Sequence, residues 1–166
     1  MLIAVISDTH LPRGNRRLPR GCVERIRNAD LLLHAGDVMT LGAFEEIEAI
    51  GTPLAAVRGN VDSDELRRLL PAERVVEAGG ARIALVHDAG PRSGRLERMR
   101  RRYGDRADAV VFGHSHLPLH ESTPGFQIFN PGSPTERRRA PAHTMGLARV
   151  DKRGLSFELV QLESPR

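Results

Sequence analysis

With 166 residues, 40% of them hydrophobic, the chain has room for one folded unit with a substantial buried core and none for a second catalytic domain. Its aromatics are five Phe and one Tyr with no Trp, so aliphatic packing must carry the core, and the single Cys22 excludes an intrachain disulfide and fits a reducing compartment. A formal net charge of +4, built almost wholly from arginine with Lys152 the only lysine, is modest for a nucleic-acid binder and amounts to a weak attraction for anions.

Residues 1–7 lack the charged start and the length of a leader peptide, and no window approaches the roughly 20 apolar residues of a membrane-spanning helix, so a cytoplasmic protein without membrane contact is expected. The run 2–7 is almost continuously apolar, which predicts a strand buried on both faces, and it empties into Asp8-Thr9-His10. A helical pattern at 23–27 precedes the apolar run 31–34, which ends at Gly36-Asp37. Helix 41–50 leads to strand 53–57 and then Gly59-Asn60, followed by helix 64–70. Strands 75–78 and 81–87 read as a hairpin about Gly79-Gly80 that closes on His87. Helix 94–103 and strand 109–112 lead to Gly113-His114-Ser115-His116. Beyond this point strands 117–122, 126–130, 146–150 and 155–162 follow one another through turns without helices, which predicts a second, mostly antiparallel sheet. The sum is an α/β fold of two packed mixed sheets flanked by helices, a single domain over 1–166.

In open α/β sheets, ligands gather where strand carboxyl ends meet their loops, and each polar segment above sits at such an end. Together they offer Asp, His and Asn side chains but no Cys, the donor set of a site holding divalent metals that activate water. Asp8 and His10, like His114 and His116, are two residues apart in extended exits, so each pair can face one way. Taken singly, Asp8-Thr9-His10 and Gly36-Asp37 read as turns with helix caps and Gly59-Asn60 as a left-handed turn. Two histidines on one face seldom serve packing, and the conjunction at successive strand ends points to a metal site.

The order Asp-x-His, Gly-Asp, Gly-Asn, His, Gly-His-x-His resembles the calcineurin-like metallophosphoesterase superfamily, and within it the small bacterial and archaeal phosphodiesterases that carry no added domain. The likeness extends through residues 7–12, 34–37, 59–62, 111–116 and Asn130-Pro131-Gly132-Ser133. It implies a four-layer sandwich with Asp8, His10 and His116 on one metal, Asn60, His87 and His114 on a second, and Asp37 bridging them. These seven residues would then be the catalytic set, acting through the metals. Manganese is the first choice, with iron, zinc, cobalt or nickel admissible. A water or hydroxide between the cations would attack a phosphodiester, either a small molecule or a nucleotide, with nucleic acid unsupported and no nucleotide cofactor. The resemblance also implies a homo-oligomer, a dimer or tetramer. A phosphomonoesterase or protein phosphatase is one alternative. A scaffold like the retromer subunit of this superfamily is another, although that subunit has lost ligands and this chain keeps all seven.

Two positions depart from the pattern. Val61 stands where many members have a histidine that protonates the leaving group, and Asp88 stands where many have glycine, here read as capping the turn 88–91, the other reading being a carboxylate that tunes the metal or repels anionic substrate. Asp62 with Glu65 fits a helix capping box, orientation of the site being the other reading. Arg98, Arg100, Arg101 and Arg102 read as a solvated helix face, and Arg137, Arg138 and Arg139 as a solvated loop bordering the site, contact of one of them with substrate phosphate being the other reading. Arg13 and Arg58 adjoin ligand segments without an assigned role. His120 and His143 read as packing or surface residues, and His34 as an outer hydrogen-bonding partner.

Overall fold

The computed structural model describes residues 1–163. Fourteen elements follow in chain order: β1 (Leu2–Ile6), α1 (Arg20–Arg27), β2 (Leu31–His34), α2 (Leu41–Glu48), β3 (Leu54–Ala56), α3 (Asp64–Leu69), β4 (Glu73–Ala78), β5 (Ala81–Val86), α4 (Arg95–Tyr103), β6 (Ala109–Val111), β7 (Leu119–Thr123), β8 (Phe126–Asn130), β9 (His143–Asp151) and β10 (Gly154–Leu162). They form two five-stranded sheets, ordered β10-β9-β1-β2-β3 and β4-β5-β6-β8-β7.

Period-two alternation explains the layering. In β1, Ala4 and Ile6 face the helices α1, α2 and α3, where they meet Ile26, Phe44, Ile47 and Leu66, while Ile3 and Val5 face the other sheet. The facing sheet answers with Ile83, Leu85, Val111 and Phe129, and its outer side carries Ala84, Val110 and Ile128 against Met99 and Tyr103 of α4. Each fully buried aliphatic side chain in this stack contributes about 1.5–3 kcal/mol. Helices α2 and α3 start where Thr40 and Ser63 accept from the amides of Ala43 and Leu66. No helix among the described residues is long and apolar enough to cross a membrane.

The last strands correct the expectation drawn from their spacing. They do not build a second sheet by themselves: β7 and β8 join β4, β5 and β6, whereas β9 and β10 return to the first sheet, β9 pairing antiparallel with β1 through Leu2 with Arg149. Nor is the second sheet mostly antiparallel, because β5–β6 and β6–β8 are parallel while β4–β5 and β7–β8 are antiparallel. The Gly79-Gly80 hairpin is present with Ala78 opposite Ala81.

On α4, Arg100 and Arg101 lie on an exposed face with Glu97, as expected, whereas Arg98 and Arg102 are engaged as well. Arg98 donates to the carbonyls of Ala89, Pro91 and Ser93, which fixes the loop entering the helix. Glu73 on β4 accepts from Tyr103 Oη at 2.6 Å, from Arg102 at 2.5 Å and from Arg106 at 3.4 Å. The Tyr103 hydrogen bond and then the two guanidinium charges hold the Glu73 carboxyl below its ordinary value. A depressed folded value contributes stability that is present above the unfolded value and is lost as pH falls through the folded one. Glu73→Gln should therefore lower the urea midpoint at neutral pH and converge with the parent as pH drops below 4.5, the ordinary glutamate value. A gap that stays constant into acid would contradict this account.

Candidate metal centre

The loops leaving β1, β2, β3, β5 and β6 meet over the seam between the sheets. Leaving β1 and β2, two loops run side by side, with the amides of Asp8, His10 and Leu11 donating to the carbonyls of Gly36, Asp37 and Val38 at 3.0, 3.0 and 2.8 Å. From the second sheet, the Gly113 amide donates to the His87 carbonyl at 2.9 Å, and the His114 amide reaches across 106 residues to the Asp8 carboxylate at 3.0 and 3.1 Å. The seven side chains singled out in the sequence are thereby brought to one place. Asp37 Oδ2 lies 3.5 Å from His10 Nε2 and 3.3 Å from His87 Nε2; Asp8 Oδ1 lies 3.4 Å from His116 Nε2. Asn60 Oδ1 lies 3.1 Å from His87 Nε2 and 3.0 Å from His114 Nδ1. Asp8, His10, Asp37, His87 and His116 are buried, while Asn60 and His114 are exposed and form the mouth.

Backbone geometry here is unusual. Asp8, His10, Asp37, His114 and His116 have φ of 56, 47, 61, 69 and 58°, in the left-handed region that side chains other than glycine seldom adopt. Hydrogen bonds on both sides of these residues hold them there. Ser133 Oγ donates to Asp8 O at 2.7 Å, and Thr135 Oγ1 donates to Thr9 O at 2.6 Å. His34 Nδ1 accepts from the Gly36 amide at 3.2 Å, so its Nε2 carries the proton that Thr9 Oγ1 receives at 3.0 Å. This buried imidazole, kept neutral with its pKa pushed down to about 3 by burial, ties the loops after β1 and β2 together; the sequence pointed to an outer hydrogen bond here but not to a link between two loops. Close approach also requires glycine: a Cβ on Gly59 would sit 2.7 Å from Asp37 Cγ, and one on Gly113 would sit 2.5 Å from Asp8 Oδ2.

Electrostatics mark the site as one that wants cations. Burial pushes the Asp8 carboxyl up to about 7, with His87 opposing and Asp37 reinforcing the rise. Burial acts the same way on Asp37, but the hydrogen bond and charge of His87 overcome it and hold that carboxyl at about 2. His10 and His116 are pushed down by burial, His116 to about 4, which leaves neutral imidazoles with free lone pairs. Their Nε2 atoms are buried and lack hydrogen-bond geometry to any described partner. Two groups, Asp8 with His10 and His116, and Asp8 with Asp37 and His87, each present ligand atoms within 4.8 Å of one another. Oxygen and imidazole donors, orphaned lone pairs and two buried carboxylates fit divalent cations.

Several residues take roles that the sequence left open or missed. Asp62 does not cap α3, a task that falls to the adjacent Ser63. Instead its carboxylate accepts from the amides of Met39 at 2.8 Å and Gly59 at 2.6 Å, clamping the loops after β2 and β3 together. Asp88 accepts from the Gly90 amide at 2.7 Å, which is the turn cap expected of it. Asn130 donates to the Gly113 carbonyl at 2.9 Å and accepts from the Gly132 amide at 2.9 Å, which gives the Asn130-Pro131-Gly132-Ser133 segment its structural purpose. Arg58 donates to Arg67 O, away from the ligands, and Arg137 to Ala140 O. His120 packs edge-on against Phe129 and Phe157, and His143 is half-buried. Glu136 was not singled out at all, yet its carboxylate lies 3.4 Å from His10 Nδ1.

Comparison with known proteins agrees with this geometry. A probable metallophosphoesterase of Methanothermobacter thermautotrophicus is 32% identical over 166 residues, covering 99% of this chain and 95% of its own. A phosphodiesterase of Methanocaldococcus jannaschii is 26% identical over 145 residues, covering 80% of this chain and 83% of its own. The crystal structure of Vps29 from Chaetomium thermophilum superposes with a TM-score of 0.76 at 20% identity, covering 99% of this chain and 97% of that one, which shows a shared fold. The profile of the calcineurin-like phosphoesterase superfamily domain matches residues 1–153. The chain therefore belongs to the calcineurin-like phosphoesterase superfamily, as a phosphoester hydrolase of the metallophosphoesterase type.

Proposed function

We propose that this protein hydrolyses phosphodiesters with two divalent metal ions, manganese being the first choice. Asp8, His10 and His116 would hold one ion and Asn60, His87 and His114 the other, with Asp37 shared. The observation that carries this reading is the position of Asp37, whose Oδ2 stands 3.5 Å from His10 of the first set and 3.3 Å from His87 of the second. Bound there, such ions supply Lewis-acid activation of water and neutralise charge on the phosphoryl oxygens. The chain's own part is to fix the ligands in advance, through the strained loops and the clamps from Asp62, His34 and Ser133, and to hold the carboxylates ready to receive cations. Asn60 and His114 face solvent, so substrate approaches from their side.

The diester preference is supported by the likeness to an archaeal phosphodiesterase and by Val61. Val61 is 40% exposed beside Asn60 and has no proton to give, so a leaving group must depart unaided by this position. Diesters with good leaving groups, or strained cyclic phosphates, should then react best. Across a series of aryl phosphodiesters assayed with manganese, the rate should fall steeply as leaving-group pKa rises, and each diester should outrun its matching monoester. A flat series, or faster monoesters, would overturn the preference, and bound manganese without turnover of any ester would favour a scaffold role.

A further inference from the structure

The loop between β8 and β9 brings Glu136 against the two histidines of the first ligand set. Its backbone carbonyl accepts from His116 Nδ1, and its carboxylate Oε2 lies 3.4 Å from His10 Nδ1. Both acceptors face the Nδ1 side of their rings, and both rings turn Nε2 toward the carboxylates of the site, His10 toward Asp37 and His116 toward Asp8. The carbonyl can only accept, so it fixes the His116 proton on Nδ1 and leaves Nε2 as the free donor, while the carboxylate sets a negative charge beside His10 Nδ1 that favours the same tautomer there. The carboxylate is itself anchored, by Arg13 Nη1 at 3.0 Å on Oε1 and by Arg16 Nη1 at 3.3 Å on Oε2. Arg16 Nη1 also lies 3.5 Å from the carbonyl of His10, so the segment after the first ligand loop folds back onto its own histidine through Glu136.

We infer that Glu136 is a positioning residue for the metal centre, holding His10 through its carboxylate and His116 through its backbone, with Arg13 and Arg16 keeping the carboxylate in place. This rests on the two-metal reading above and adds to it a residue that touches neither cation. Only the His10 contact depends on the side chain, so its loss weakens one ligand set and spares the set of Asn60, His87 and His114. Carboxylates behind a metal-bound imidazole are typically worth about 10- to 100-fold in metal affinity.

The test is a titration of metal-free protein with cobalt(II), read by calorimetry and by the visible absorption of the bound ion, which reports its coordination independently of turnover. The parent protein should take up two equivalents. Glu136→Ala should weaken one of them by about 10- to 100-fold and alter its absorption, leaving the other unchanged. Glu136→Gln, which keeps an oxygen beside His10 Nδ1 but not its charge, should restore part of the loss. Should the alanine variant fail to fold by circular dichroism, Glu136→Ser, too short to reach His10, takes its place. Two equivalents bound with parental affinity and spectrum by the truncated variant would overturn the role of Glu136 and leave the metal reading standing. Fewer than two equivalents in the parent would overturn both.

Discussion

Asp37→Ala should abolish ester hydrolysis, lowering turnover by at least about 10²–10³-fold, the scale set by losing one preorganised electrostatic group. The carboxylate is buried, faces a histidine of each ligand set, and accepts from the Val61 amide at 3.0 Å, so no neighbour can replace it. Asp37→Asn separates charge from shape. Asparagine tolerates the left-handed φ of 61° and can still accept from Val61, so the fold should survive while the negative charge is gone. Turnover and bound metal measured on both variants, alongside their thermal melts, make the check. His116→Ala should act in the same direction, because its Nε2 faces Asp8 at 3.4 Å. Parental turnover in these variants would remove the assigned roles.

A large effect is also expected from a methyl group. Gly113→Ala places a Cβ against Ser7 Oγ, 2.9 Å from Ser7 Cβ and 2.5 Å from the Asp8 carboxylate, and all three belong to fully buried residues of the first loop. Ser7 and Asp8 cannot retreat, since the Asp8 carbonyl is held by Ser133 and its amide by Gly36. Overpacking of this kind costs about 1–3 kcal/mol, which for a chain of this size lowers the melting temperature by roughly 3–10 °C. Activity should suffer more than stability, because displacing a ligand by about 1 Å can cost 10²-fold. A variant that melts and turns over like the parent would show that the glycine is not required for close approach.

What the sequence made legible was local. Apolar runs and their polar exits located β1, β2, β3, β5 and β6 and the side chains at their ends, because burial on both faces leaves an almost unbroken aliphatic signature. Sheet membership of β9 and β10 was not legible, since alternation specifies a strand and its buried face but not which of two sheets will receive it. Asp62 shows a second limit: an acid before Ser63 and Glu65 satisfies the pattern of a helix cap, and only the folded loops reveal that its carboxylate serves Met39 and Gly59 instead. Glu136 sits in a run of Thr, Glu and Arg that reads as solvated, and its partners Arg13 and Arg16 lie 123 and 120 residues earlier. Positive φ at Asp8, His10, Asp37, His114 and His116 is only faintly written in residue type, since Asp and His tolerate the left-handed region but adopt it here under hydrogen bonds from distant hydroxyls and amides.

The seam under the site has a mechanical meaning. Asp8, Asp37 and Asn60 ride on one sheet and His87 and His114 on the other, so the spacing of the donors is set by how the sheets slide and rotate against each other. Side chains such as Phe129, which stacks on Phe157 across that boundary at 4.6 Å, act as shims between two plates. Repacking them offers a remote handle on the bite of the centre, adjustable from the hydrophobic interior without touching a single donor.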